Sequence, residues 1–139
     1  MNNIRIDNVV FCENARSEVG GKHTLLGVFA SELHISAIPA VLSIAIWVSG
    51  TPLAAGPFEA DFRVIDSKKN VLVKAKMGGD IGGTGKTALV IGPMPLSVNE
   101  EGNFTFEWNF GNKKWTKIGT LSIHLANPAN AVTVPSSTS

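Results

Sequence analysis

Tyrosine is absent from this chain of 139 residues, and cysteine occurs once, at Cys12. The first absence removes a common general acid and a common interface residue. The second excludes an intramolecular disulfide and leaves a buried structural thiol in a cytosolic protein as the simplest reading. Charge is also scarce: 17% of the residues are Asp, Glu, Lys or Arg, against a usual share of about 25%. Hydrophobic residues make up 44%, too many for a disordered chain. Twelve basic against eleven acidic residues give a net charge of +1, so no general attraction for nucleic acid or an anionic membrane is expected. The longest apolar run, Ala37–Val48, is broken by Pro39 and Ser43 and falls well short of the ~20 residues of a spanning helix. Met1–Asn8 has no basic start followed by an apolar run, so no secretory signal is read there and the expected compartment is the cytoplasm.

What is present reads as β-structure. Phe58, Ala60, Phe62 and Val64 alternate with Glu59, Asp61 and Arg63, and Phe104, Phe106, Trp108 and Phe110 alternate with Thr105, Glu107 and Asn109. Such a period of two puts one set of side chains in a core and the other in water. Ile4–Cys12, Lys22–Ala30, Val71–Met77 and Trp115–Leu125 read as further strands. Leu42–Val48 carries no charge and reads as a central strand covered on both faces. Glu18–Gly21, Ser67–Asn70, Asn99–Gly102 and Gly111-Asn112 have the composition of turns, and loops this short favour antiparallel neighbours. Glu13–Val19 and Ser31–Ala37 are the only helix candidates, each a turn or two. The expected fold is one all-β domain over residues 1–126, an antiparallel two-sheet β-sandwich, immunoglobulin-like or C2-like, of about eight strands. A closed barrel is the alternative. Residues 127–139 read as a polar, flexible tail.

Gly78-Gly79-Asp80-Ile81-Gly82-Gly83-Thr84-Gly85-Lys86-Thr87 suggests a phosphate loop, but its spacing is wrong. Gly85-Lys86-Thr87 requires a glycine where Asp80 stands, and a carboxylate there repels phosphate. The next residues, Ala88–Pro93, lack the helical stripe that the motif must enter. The segment reads as a loop between strands, with Asp80, Thr84, Lys86 and Thr87 as candidates for a small anion. His23, His34 and His124 show no metal-ligand spacing to one another or to Cys12, and parity points His124 to solvent between inward Ile123 and Leu125. No nucleophile signature occurs. No catalytic, cofactor or metal residue is therefore assigned.

The aromatic row Phe104–Phe110 could stack bases, but Lys and Arg are not interleaved with it, so core is the preferred reading. Lys113, Lys114 and Lys117 beside Trp115 form the densest basic cluster, read as a solvated hairpin end. Asn103-Phe104-Thr105 matches a glycosylation acceptor but carries no weight without a secretory signal.

Val9–Arg16, followed by Gly21-Lys22-His23-Thr24-Leu25-Leu26-Gly27, resembles the start of a widespread family of uncharacterised bacterial domains with a Gly-Lys-x-x-Leu-x-Gly second strand. Ile38–Ile44 resembles their proline-introduced third strand. Gly102–Trp108 has the Gly-x-aromatic-x-aromatic form found near the end of many immunoglobulin-like sandwiches. The resemblance implies a β-sandwich and no site residue, and a bacterial or phage source is compatible with it.

Function is expected to be non-enzymatic: a binding or assembly module acting through a protein partner or a second copy of itself. A small-ligand or anion-binding module using residues 78–86 is the alternative. The uncharged strands are either buried in the sandwich or covered by a partner.

Overall fold

The computed structural model describes residues 4–111 and 114–126. Nine strands occur among them: β1 (Ile4–Glu18), β2 (Lys22–Val28), β3 (Glu32–Ile35), β4 (Ala40–Pro52), β5 (Gly56–Ile65), β6 (Val71–Ile81), β7 (Thr87–Val98), β8 (Gly102–Asn109) and β9 (Thr116–Leu125). They form two sheets, a smaller one of order β2-β1-β4-β7 and a larger one of order β3-β9-β8-β5-β6. The result is an all-β sandwich, not a closed barrel. The tail at 127–139 and Lys113 lie outside the described residues.

The inner faces follow the sequence alternation. Phe58, Ala60, Phe62 and Val64 of β5 meet Phe104, Phe106 and Trp108 of β8, and all seven are buried. From the smaller sheet, Ile44, Ile46 and Val48 of β4 and Leu96 and Val98 of β7 close the core. Phe11 of β1 crosses to Phe106 with ring centroids 4.8 Å apart, and Trp108 meets Phe110 edge-on at 5.1 Å. Full burial of one such side chain contributes about 1.5–3 kcal/mol. The aromatic row is therefore core.

Four expectations are corrected. Glu13–Val19 is not helical: Asn14–Glu18 pair with Lys22–Leu26 in a hairpin. Ser31–Ala37 contains β3, and β3 lies parallel to β9, with His34 opposite His124. This parallel pair is reached without a short loop, because the chain leaves the smaller sheet after β2, visits the larger one, and returns as β4. Such a short, half-exposed strand shows no clear period, which is why nine strands stand where about eight were expected. Leu42–Val48 is central, between β1 and β7, but covered on both faces only near Ala45; Val41 and Ser43 are exposed.

Two local devices shape the strands. Between Ile44 and Ile46 the β4–β7 register shifts, and Gly92 stands in the extra segment at φ +93°. A Cβ there would lie 2.8 Å from the Ile44 carbonyl oxygen, so a side chain is excluded by both space and backbone angle. In the β5–β6 turn, Asp66 accepts hydrogen bonds from the Lys68 and Asn70 amides at 2.9 and 2.8 Å. Those bonds, with Asn70 first, hold its carboxyl below the ordinary carboxylate range.

Candidate functional site

Period-two alternation gives each sheet an outer face, and the two outer faces differ in chemistry. On the larger sheet, β5 presents Glu59, Asp61 and Arg63, and β6 presents Lys74 and Lys76 opposite them. β8 adds Thr105, Glu107 and Asn109, and β9 adds Lys117, Thr120, Ser122 and His124. Arg63 Nε donates to Glu107 Oε1 at 2.7 Å while its guanidinium lies 4.0 Å from the Trp115 ring centre. This face is a charged, cross-paired surface fitted to water.

The smaller sheet presents the opposite character. Registers place Val10 beside Trp47, Cys12 beside Ala45 and Val28, and Trp47 beside Val90. Ser49 and Ala88 continue the face at one end, and Ser43 and Pro95 at the other. Along the band formed by Val28, Cys12, Val10, Ala45, Trp47 and Val90 the face carries no ionised side chain, whereas β1 and β2 beyond it carry Glu13, Arg16, Glu18 and Lys22. Charges border it: Arg5 and Asp7 pair at 3.6 Å near Thr51, and Glu18 lies opposite Lys22 in the hairpin. Cys12, Ala15 and Ala45 are buried in a second small cluster with Leu25 and Val90 against it. Val28 and Val41 are 60% and 69% exposed. Burial pushes the Cys12 thiol pKa up, and its Sγ donates towards the Ala45 carbonyl at 3.6 Å. The thiol is a packing group, not an exposed nucleophile.

The residues singled out in the glycine-rich segment are dispersed. Gly78, Gly79 and Asp80 are not in a loop but in β6, paired with Glu59, Phe58 and Pro57. Only Gly82–Lys86 crosses between the sheets, and Thr87 opens β7. Asp80, Thr84 and Lys86 are exposed and Thr87 is half-buried. The segment thus enters a strand where a phosphate loop enters a helix.

Two neighbourhoods escaped the sequence. A concavity of about 440 Å³ on the charged face is lined by Glu59, Asp61, Lys76 and Asn109 among others. His34 and His124, 90 residues apart in sequence, lie side by side with ring centroids 5.6 Å apart. His124 does lie on the outer face, half-buried, with Nε2 3.1 Å from Ser122 Oγ, whereas Leu125 is 44% exposed rather than inward. The serine and histidine are within reach of a nucleophile–base pair. However, the Ser122 amide donates to the Ser31 carbonyl and is not free to hold an oxyanion.

Among the described residues no helix is long and apolar enough to cross a membrane. No curated protein matches the chain. A solved β-glucosidase from Erythrobacter marinus aligns with a TM-score of 0.39 and 11% identity, over 88% of this chain and 15% of that one. The chain spans a small part of that enzyme's length, and a likeness at this level transfers nothing of what the enzyme does. Residues 7–126 match a family of unknown function, DUF6941, and the chain belongs to that family.

Proposed function

We propose that this chain is a non-enzymatic, cytoplasmic assembly module that associates through the outer face of its smaller sheet, with a second copy of the same chain as the occupant. The observation that carries this reading is the contrast between the two outer faces. One is charged along its strands; the other, from Val10 and Val28 across Trp47 to Val90, is apolar and uncharged. Contiguous apolar surface on a protein marks association. An uncharged face is complementary to itself, and its borders carry both signs, so a two-fold pairing meets no net repulsion.

Of the four edge strands, β7 and β6 are poorer candidates. β7 presents Pro93 and Pro95, which cannot donate to an added strand, and β6 carries Lys74 and Lys76. The face remains. The strand order also supports an immunoglobulin-like reading: a short early strand pairs parallel with the last strand, while the next strand joins the opposite sheet. A buried, unpaired thiol suits a reducing compartment. The glycine-rich segment has no binding role in this reading.

Light scattering after size exclusion tests it. The wild-type chain should elute at twice the monomer mass at micromolar concentration. Val28→Glu, a change at a largely exposed position, should give a folded monomer. A wild-type chain that stays monomeric at all accessible concentrations overturns the reading.

A further inference from the structure

We propose that His34 and His124 form a two-imidazole site for a divalent cation of the zinc, nickel and copper group, clamping edge strand β3 to β9. The site is built by the parallel register, which sets Glu32 opposite Ser122 and, one pleat on, His34 opposite His124. All four side chains lie on the same outer face of the larger sheet. His34 Nε2 lies 4.0 Å from Glu32 Oε2, and His124 Nε2 lies 3.1 Å from Ser122 Oγ. Both Nε2 atoms therefore reach towards the row formed by Glu32 and Ser122; Ser122 Oγ donates to Asn103 Oδ1 at 2.9 Å and so accepts from His124 Nε2, whose proton a bound ion would displace.

The spacing suits one ion. A ligating imidazole nitrogen stands about 2.1 Å from its metal, which puts the ring centre about 3.2 Å away. Two such rings, at a nitrogen–metal–nitrogen angle between tetrahedral and trigonal, have centres about 5.2–5.5 Å apart. The observed separation is 5.6 Å. Imidazole pairs select zinc, nickel and copper over magnesium or calcium, which prefer oxygen. No trio of His, Cys, Asp or Glu among the described residues stands in ligand geometry, so water completes the sphere. Glu32 is the nearest carboxylate, and Glu101, which accepts the Leu125 amide, adds negative charge at the end of β9.

The consequence is structural. β3 is a four-residue edge strand held on one side only. An ion shared by β3 and β9 would hold the segment that passes from one sheet to the other and back. This site lies on the opposite face from the proposed association surface and stands independently of it.

The test is isothermal titration of the full, chelator-treated chain with zinc chloride and, separately, nickel chloride at neutral pH. Saturable binding of one ion per chain is expected, with a rise in melting temperature. His34→Ala and His124→Ala should each weaken binding about tenfold or more, whereas His23→Ala, on the other sheet, should leave it unchanged. Excess chelator added after the titration should reverse it. If either variant fails to fold, proton NMR of the wild type decides: the His34 and His124 ring signals must move together on adding zinc while those of His23 stay. No saturable binding overturns the site, as does equal affinity in the variants or a shift confined to His23.

Discussion

Cys12 shows how a single residue's surroundings decide its chemistry. It has no exposed surface, and desolvation raises its thiol pKa, so the reactive thiolate is suppressed. A thiol reagent such as Ellman's should leave the native chain unmodified and titrate one thiol per chain in denaturant; rapid labelling of the native chain would contradict this. Trp108 carries the opposite kind of weight, as the largest fully buried side chain. Trp108→Ala should cost about 3–5 kcal/mol by urea unfolding, from lost contact and residual cavity. Trp108→Phe should cost much less, because the indole Nε1 it removes is buried without a hydrogen-bond partner. Both residues were legible in the sequence as buried. A lone cysteine among apolar neighbours is usually inert, and Trp108 stands in a clean alternating row.

At the scale of elements, the two-residue period revealed β5 and β8, because one face of each meets the core and the other meets water. It failed where that contrast is missing. β3 is short and half-exposed, so its Leu33 and Ile35 did not separate it from a helical turn. The glycines at 78 and 79 read as loop, yet the β5 register extends through them to Ile81. The His34–His124 pair was invisible because only the parallel pairing of β3 with β9 brings the two together. Two element-level outcomes follow. Gly92→Ala should destabilise the chain by more than about 1 kcal/mol in chemical denaturation, since neither its φ nor the Ile44 carbonyl leaves room. The Asp66 turn should give acid sensitivity of a definite sign. Its folded pKa is depressed, so its stabilisation is present above the ordinary carboxylate value near 3.9 and is lost as pH falls through the lower folded value. In Asp66→Asn, melting temperature should be lower at neutral pH and should fall less steeply on acidification; an identical profile would deny the turn that role.

For the whole molecule, the low charge fraction acquires a location. Charge is concentrated on the outer face of the larger sheet and towards the two ends of β1 in the smaller one, while β4, at the centre of the smaller sheet, has none. Composition alone left burial within the sandwich and cover by a partner as equal explanations. In the proposed assembly both apply, on different faces of the same strand. Ile44, Ile46 and Val48 of β4 face the core, whereas Val41 and Trp47 face outward, the former largely exposed and the latter half-buried. The most direct measurement is sedimentation equilibrium on two matched variants, Val90→Lys on the apolar face and Thr105→Lys on the charged one. The assembly reading predicts a concentration-dependent dimer for the wild type and Thr105→Lys, and a monomer for Val90→Lys. Equal masses for all three chains, or a dimer lost only in Thr105→Lys, would contradict it.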